Sequence, residues 1–147
     1  MHFDGEQSIK APIARIWAYF MDPNAVAQCA PGFKSMEVLS PTHFKPTLSV
    51  GVGVVKATFT LDVHLVDLTE PNHAAMQAHG MAVGSGVDMR AAMDLTPESE
   101  TVTHMNWTAD VNVSGTIASM GARLLEGTAH KLTANFFDCL RVKLEGA

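Results

Sequence analysis

A chain of 147 residues has room for one domain with a proper core and not for two. A net charge of −5 without a basic stripe excludes a nucleic-acid binder, and no stretch approaches the ~20 apolar residues of a membrane span. Two cysteines, Cys29 and Cys139, show neither metal-ligand spacing nor a disulfide framework, which fits free thiols in a reducing compartment. The start, Met1-His2-Phe3-Asp4-Gly5, has no basic or apolar leader, so the expected location is the cytoplasm.

Residues 2–10 alternate weakly and read as a first strand. Ala11-Pro12 opens a helix whose apolar face is Ile13, Ile16, Trp17 and Phe20. Asp22-Pro23 starts a second short helix with Asp22 as its cap, and Cys29-Ala30-Pro31-Gly32 stops it. From Phe33 the period switches to two. Strands are expected at 33–39, 43–50, 53–67, 73–82, 86–95 and 101–113, separated by Gly-, Pro-, Asn- and Ser-rich turns. Ala57, Phe59, Leu61, Val63 and Leu65 share one face of the 53–67 segment, while Thr58, Thr60, Asp62 and His64 share the other. An antiparallel sheet of about seven strands with one dry face follows.

The dry face needs a cover, and the only long element left is a helix over 117–144. On a 3.6-residue wheel its inner face holds Ile117, Gly121, Leu124, Leu125, Thr128, Leu132, Asn135, Phe136 and Cys139. Phe137 falls on the outer face, either packed against the N-terminal helices or part of a contact surface. The fold class is α+β, with one long helix gripped by the sheet.

Gly121, Thr128 and Asn135 repeat at intervals of seven on that inner face, where large aliphatics would pack better. Met76, Met89, Met93 and Met105 face them from the sheet. One reading is a cavity for an apolar ligand with a carbonyl or hydroxyl group. The other is that Gly121 permits close helix–sheet contact and Thr128 bonds back to its own helix. The candidate lining is Phe44, Leu48, Phe59, Met76, Met89, Met105 and Trp107 from the sheet. Leu124, Thr128, Leu132 and Asn135 line it from the helix, with Thr128 or Asn135 reaching a carbonyl.

His64, His79 and His104 fall on the wet face and His130 on the outer helix face, so solvated histidines are expected and no metal site. No catalytic residue is expected either. No His, Asp or Glu points inward on the long strands or the helix, and only His43 and His73 near strand ends stay open.

Phe3-Asp4-Gly5, Ala11-Pro12, Trp17, Asp22-Pro23 and Cys29-Ala30-Pro31-Gly32 resemble the start of the carbon monoxide dehydrogenase G-subunit family. The likeness continues through Gly53 with Phe59, Trp107-Thr108-Ala109-Asp110, Gly115-Thr116-Ile117-Ala118, Gly121-Ala122-Arg123-Leu124 and Asn135-Phe136-Phe137, covering about residues 3–140. The resemblance implies the START-like, helix-grip fold with a deep cavity under the last helix. It also implies an accessory protein of molybdenum-containing carbon monoxide dehydrogenases or related hydroxylases, recruiting the enzyme to the membrane or handling a quinone. Many family members carry a linker and an apolar C-terminal tail. The segment ending Leu144-Glu145-Gly146-Ala147 contains neither, so no anchor is expected, and membrane contact is left open only as a peripheral one.

Three functions compete. The first is a non-enzymatic carrier of a quinone or lipid associated with such a hydroxylase. The second is a cyclase- or dehydratase-type enzyme on the same scaffold. The third is a protein–protein adaptor whose methionines fill the core.

Overall fold

The computed structural model describes residues 1–146. Its elements are β1 (His2–Ile9), α1 (Ile13–Phe20), α2 (Pro23–Ala27), β2 (Phe33–Ser40), β3 (His43–Val52), β4 (Val55–Thr69), β5 (His73–Ala82), β6 (Ser85–Pro97) and β7 (Thr103–Gly115). A 3₁₀ turn (Ile117–Met120) and α3 (Ala122–Glu145) complete them. The strands form one sheet in the order β1-β7-β6-β5-β4-β3-β2, antiparallel throughout. This is a meander of hairpins in which β1, the first strand, joins the free edge of the last. The short helices form where the sequence places them. Asp22 accepts hydrogen bonds from the backbone N–H groups of Asn24 and Ala25, and Pro23 occupies the first turn of α2.

Two apolar clusters fill the space between α3 and the sheet. One joins Ile9, Ile16, Trp17, Met93, Leu95, Met105, Phe137, Leu140 and Leu144, under the C-terminal half of α3 and against α1. The other joins Val52, Phe59, Ile117 and Leu125, under its N-terminal half. The C-terminal end of α3 is also tied to β1. Arg141 donates to the Ser8 carbonyl at 2.8 Å and to Gln7, and Glu145 accepts from the Lys10 N–H at 2.8 Å.

The final helix differs from the expected one in two respects. It is not continuous from 117. Gly121 adopts φ +92°, ψ 149°, a conformation open only to glycine, and separates the 3₁₀ turn from α3. It is the residue before α3, with nothing within 4 Å of its would-be Cβ, so it gives neither a helical gap nor a close contact. The buried stripe of α3 is also shifted to one side of the expected wheel, though Leu125, Thr128, Leu132, Phe136 and Cys139 belong to both. Leu125, Phe137, Leu140 and Leu144 are buried on α3, whereas Leu124 and Asn135 are exposed. Leu124 and Asn135 lie at one edge of the expected face, and the packing of α3 on the sheet displaces the buried stripe from that edge toward Phe137 and Leu140. Phe137 is consequently a core residue, 5.8 Å from the Trp107 ring centroid and 5.5 Å from that of Phe136.

The cysteines also depart from expectation. Cys29 and Cys139 form a disulfide across 110 residues, with a Cα–Cα distance of 5.5 Å. Sequence separation concealed the pair. The turn after α2 brings Cys29 against the α3 face that carries Cys139, and that meeting is tertiary.

Tyr19 is 8% exposed, and its hydroxyl finds no hydrogen-bond partner among the described residues. Burial pushes its phenol up to about 12. The fold therefore favours the neutral phenol. Its contribution is fully present below pH 10 and is lost as pH rises from about 10 to 12, by about 2–3 kcal/mol. Tyr19→Phe should stabilise the protein by about 1 kcal/mol at pH 7, because an unpaired buried hydroxyl is removed. It should also flatten the alkaline loss. Urea unfolding at pH 7 and pH 11 checks both, and a destabilised Phe variant at pH 7 refutes the unpaired-hydroxyl reading.

Candidate functional site

The dry face of the sheet borders a half-open cavity of about 180 Å³ beneath the N-terminal half of α3. Leu48, Val50 and Val52 of β3 with Phe59 and Leu61 of β4 form one wall. Ala78, Val87, Met89, Val111 and Val113 continue it across β5, β6 and β7. Ile117, Leu125, Thr128, Ala129 and Leu132 roof it. Thr128 is the one polar residue among the α3 residues of the roof, and its hydroxyl is already used, donating to the Leu124 carbonyl at 2.9 Å. A ligand in this space meets methyl and methylene groups almost everywhere. An engineered apolar cavity of about 150 Å³ accepts benzene, so this volume suits one ring system or a short branched hydrocarbon segment.

The structure brings Leu48, Phe59, Met89, Thr128 and Leu132 together at this cavity and leaves the other expected residues outside it. Phe44 is half-buried opposite Val63, and Met76 lies between Leu65 and Ala91. Met105 is 2% exposed in the core under the other half of α3. Trp107 packs on Phe137, with its indole edge over Gly5 of β1, where an added Cβ would come within 2.9 Å of Nε1. Leu124 lies outside the roof beside Gly53, and Asn135 faces solvent, so no inward amide awaits a carbonyl. The missed Leu61, Val87 and Val113 were already inward by strand parity, whereas Val52 lay beyond the expected strand end at 50. Only which end of the sheet holds the gap was hidden. The methionines misled, because Met76 and Met105 lie toward the filled end.

The outer face of the sheet is a lattice of imidazoles and carboxylates. His79 Nδ1 contacts Asp88 at 2.6 Å and His73 Nδ1 contacts Asp94 at 2.7 Å. His2 lies between Asp110 at 2.7 Å and Asp4 at 3.1 Å, and these carboxylates, Asp110 foremost, hold its imidazole above the usual value. His43 Nε2 contacts Asp62 Oδ1 at 2.5 Å, and that hydrogen bond holds the Asp62 carboxyl below the usual range. His43 and His73, left open by the sequence, thus both stand on this face. An open polar groove of about 400 Å³ runs along it, bordered by Asp62, His64, Gln77, His79, Arg90 and Asp110 among others.

A long helix laid over a seven-stranded antiparallel sheet, closing an apolar cavity between them, defines a helix-grip, START-like protein. The chain belongs to the carbon monoxide dehydrogenase G-subunit (CoxG) family, whose family model matches residues 5–145. Among solved structures it is similar to a conserved protein from Geobacillus kaustophilus, at 26% identity and TM-score 0.91 over 99% of this chain and 95% of that one. It is also similar to a START superfamily protein from Mycobacterium smegmatis, at 12% identity and TM-score 0.73 over 98% and 97%. An aromatase/cyclase from Streptomyces sp. R1128 is similar at 16% identity and TM-score 0.73 over 99% and 93%. The last two likenesses concern the fold alone. No curated protein sequence matches the chain. Among the described residues, no helix is long and apolar enough to cross a membrane.

Proposed function

We propose that the protein is a non-enzymatic carrier, which holds the hydrocarbon part of a quinone or lipid under α3 and serves a molybdenum-containing carbon monoxide dehydrogenase or related hydroxylase. The apolar cavity of about 180 Å³ carries this reading. Leu48, Phe59, Met89 and Leu132 contact the ligand through dispersion and burial. A quinone carbonyl deep in this space would find no free donor and would cost about 1–3 kcal/mol. The carbonyl-bearing ring therefore sits toward the opening, and an isoprenoid or acyl segment occupies the interior. Family membership supports the hydroxylase as partner.

The end of the molecule that holds the cavity supports delivery from an apolar surface. Val54 and Val83, at the β3–β4 and β5–β6 turns, are 101% and 105% exposed. Segments 49–58, 80–87 and 113–124 contain no Asp or Glu, and their only charged residues are Lys56 and Arg123. An acidic protein thus presents one neutral-to-positive end with aliphatic tips. Val54→Asp with Val83→Asp should weaken binding to anionic phospholipid vesicles by about tenfold or more, while the melting temperature stays put. Vesicle co-sedimentation beside a thermal melt reads both, and unchanged sedimentation would count against this route.

Native mass spectrometry of gently purified protein, with organic extraction of the bound material, tests the carrier itself. One quinone or lipid per chain is the expected result. A ligand-free protein that also refuses a menaquinone and ubiquinone series would overturn it and favour the adaptor.

A further inference from the structure

We propose that His43, Asp62 and His64 form a site for a divalent transition-metal ion of the zinc and copper class on the outer face of the sheet. Three observations bring the donors together. The antiparallel register of β3 and β4 sets His43 directly opposite His64. Asp62 precedes His64 by two residues, so the strand's period turns both to the same side. One ligand atom from each of the three lies within 4.8 Å of the others.

Both imidazoles approach one oxygen of Asp62. Asp62 Oδ1 lies 2.5 Å from His43 Nε2 and 3.5 Å from His64 Nε2. The two imidazoles stack, with centroids 3.9 Å apart and planes 19° apart, and both bring Nε2 to one carboxylate oxygen; binding one ion turns the rings out of the stack so that their in-plane lone pairs meet on it. Metal–donor bonds of about 2.0–2.2 Å set neighbouring donors roughly 3.3 Å apart in a tetrahedral site. The His64–Asp62 separation is already near this. The His43–Asp62 pair must open by less than about 1 Å, as a cation replaces the proton between them.

The donor chemistry selects the ion. Two imidazole nitrogens and one carboxylate oxygen suit zinc, copper or nickel, whereas calcium and magnesium prefer oxygen alone. The other histidines of this face lack the arrangement. His2 spends Nδ1 on Asp110 and Nε2 on Asp4, at opposite sides of its ring, and His104 likewise stands between Glu98 and Glu6. Such rings cannot gather both carboxylates around one ion. His73 and His79 have one carboxylate contact each. Among the described residues the 43–62–64 group is the one that brings three donors together.

Asp62 and His64 also border the polar groove, beside Gln77, His79 and Arg90. The remaining coordination positions of the ion face that groove and stay open to water or to an anionic ligand lying in it. Phe59 and Leu61 of the same strand line the apolar cavity on the opposite face. Strand β4 would then carry two sites, one per face.

The test is a Zn²⁺ titration of the chelator-treated full chain by calorimetry, with Co²⁺ absorption as a second readout. One Zn²⁺ per chain should bind, with proton release. His43→Ala, His64→Ala and Asp62→Asn should each weaken it by about tenfold or more, since even a lost outer partner costs about that much. His73→Ala and His79→Ala should leave it unchanged. Co²⁺ should give visible bands that His64→Ala removes. All three ligands are partly exposed, so the variants should fold, and circular dichroism verifies this; His64→Gln replaces His64→Ala should the latter fail. No saturable binding below about 100 µM Zn²⁺, binding that survives loss of both His43 and His64, or equal loss in His79→Ala would each overturn the assignment.

Discussion

Breaking the Cys29–Cys139 bond should lower the unfolding free energy by about 3–5 kcal/mol. The bond links residues 110 apart. Cross-linking a loop of about 100 residues removes denatured-state entropy worth roughly 4.7 kcal/mol in the chain-entropy model. Native contacts add to this. Cys29 is 4% exposed within the cluster that holds Leu140 and Trp17, and Cys139 packs against it from α3. A serine at 29 would bring a hydroxyl into that apolar setting. For a chain of this size the loss corresponds to a melting temperature lower by roughly 10 °C. The measurement is a urea and thermal melt of the protein with and without reductant, and of the Cys29→Ser/Cys139→Ser pair. A thiol titration of the denatured, unreduced chain goes with it. Two titrating thiols, or a change under about 1 kcal/mol, would show that the bond does not form or does not matter.

Placing a phenyl ring in the cavity should abolish ligand binding without harming the fold. Ala129 roofs the cavity from α3, and Ala129→Phe points a ring of benzene size into about 180 Å³ of apolar space. Ligand affinity should fall by about a hundredfold or more, since the plug takes the volume that the hydrocarbon would fill. The melting temperature should hold or rise, because filling a void commonly stabilises by about 0.5–2 kcal/mol. Two contrasting variants sharpen the reading. Asn135→Leu should leave affinity unchanged because Asn135 faces solvent. Thr128→Val should change it little because the hydroxyl is committed to the Leu124 carbonyl. Titration of the three variants with a short-chain menaquinone, beside thermal melts, separates these outcomes. A plugged variant that still binds would move the ligand elsewhere on the molecule. A wild-type chain that binds nothing would instead refute the carrier.

The fold was largely legible from residues. Alternation along 53–67 marked β4 and its inward face, and Phe59 and Val63 are buried as that alternation requires. Asp22 announced a helix cap that forms. The site was legible only in part. Leu48, Phe59, Met89 and Leu132 were inward residues by parity or by wheel, and they line the cavity. Asn135 and Leu124 stood at the edge of the expected helix face, and they do not.

What the sequence determined by itself was most of what is written in short-range spacing, the break at Gly121 excepted. That covers the seven strands, their wet and dry faces, the caps and turns, and the need for one long covering helix. These depend on i,i+2 and i,i+4 relations and on single residues with special backbone freedom. What only the tertiary structure decided was every meeting of distant segments. The edge of α3 that is buried, the Cys29–Cys139 bond, the end at which the cavity opens, and the stacking of His43 on His64 all belong here. The physical reason is that a one-residue change in strand register or helix phase redirects every side chain on an element while leaving its local pattern intact. Local pattern therefore cannot select among registers and phases; that choice is made by the packing of the whole core.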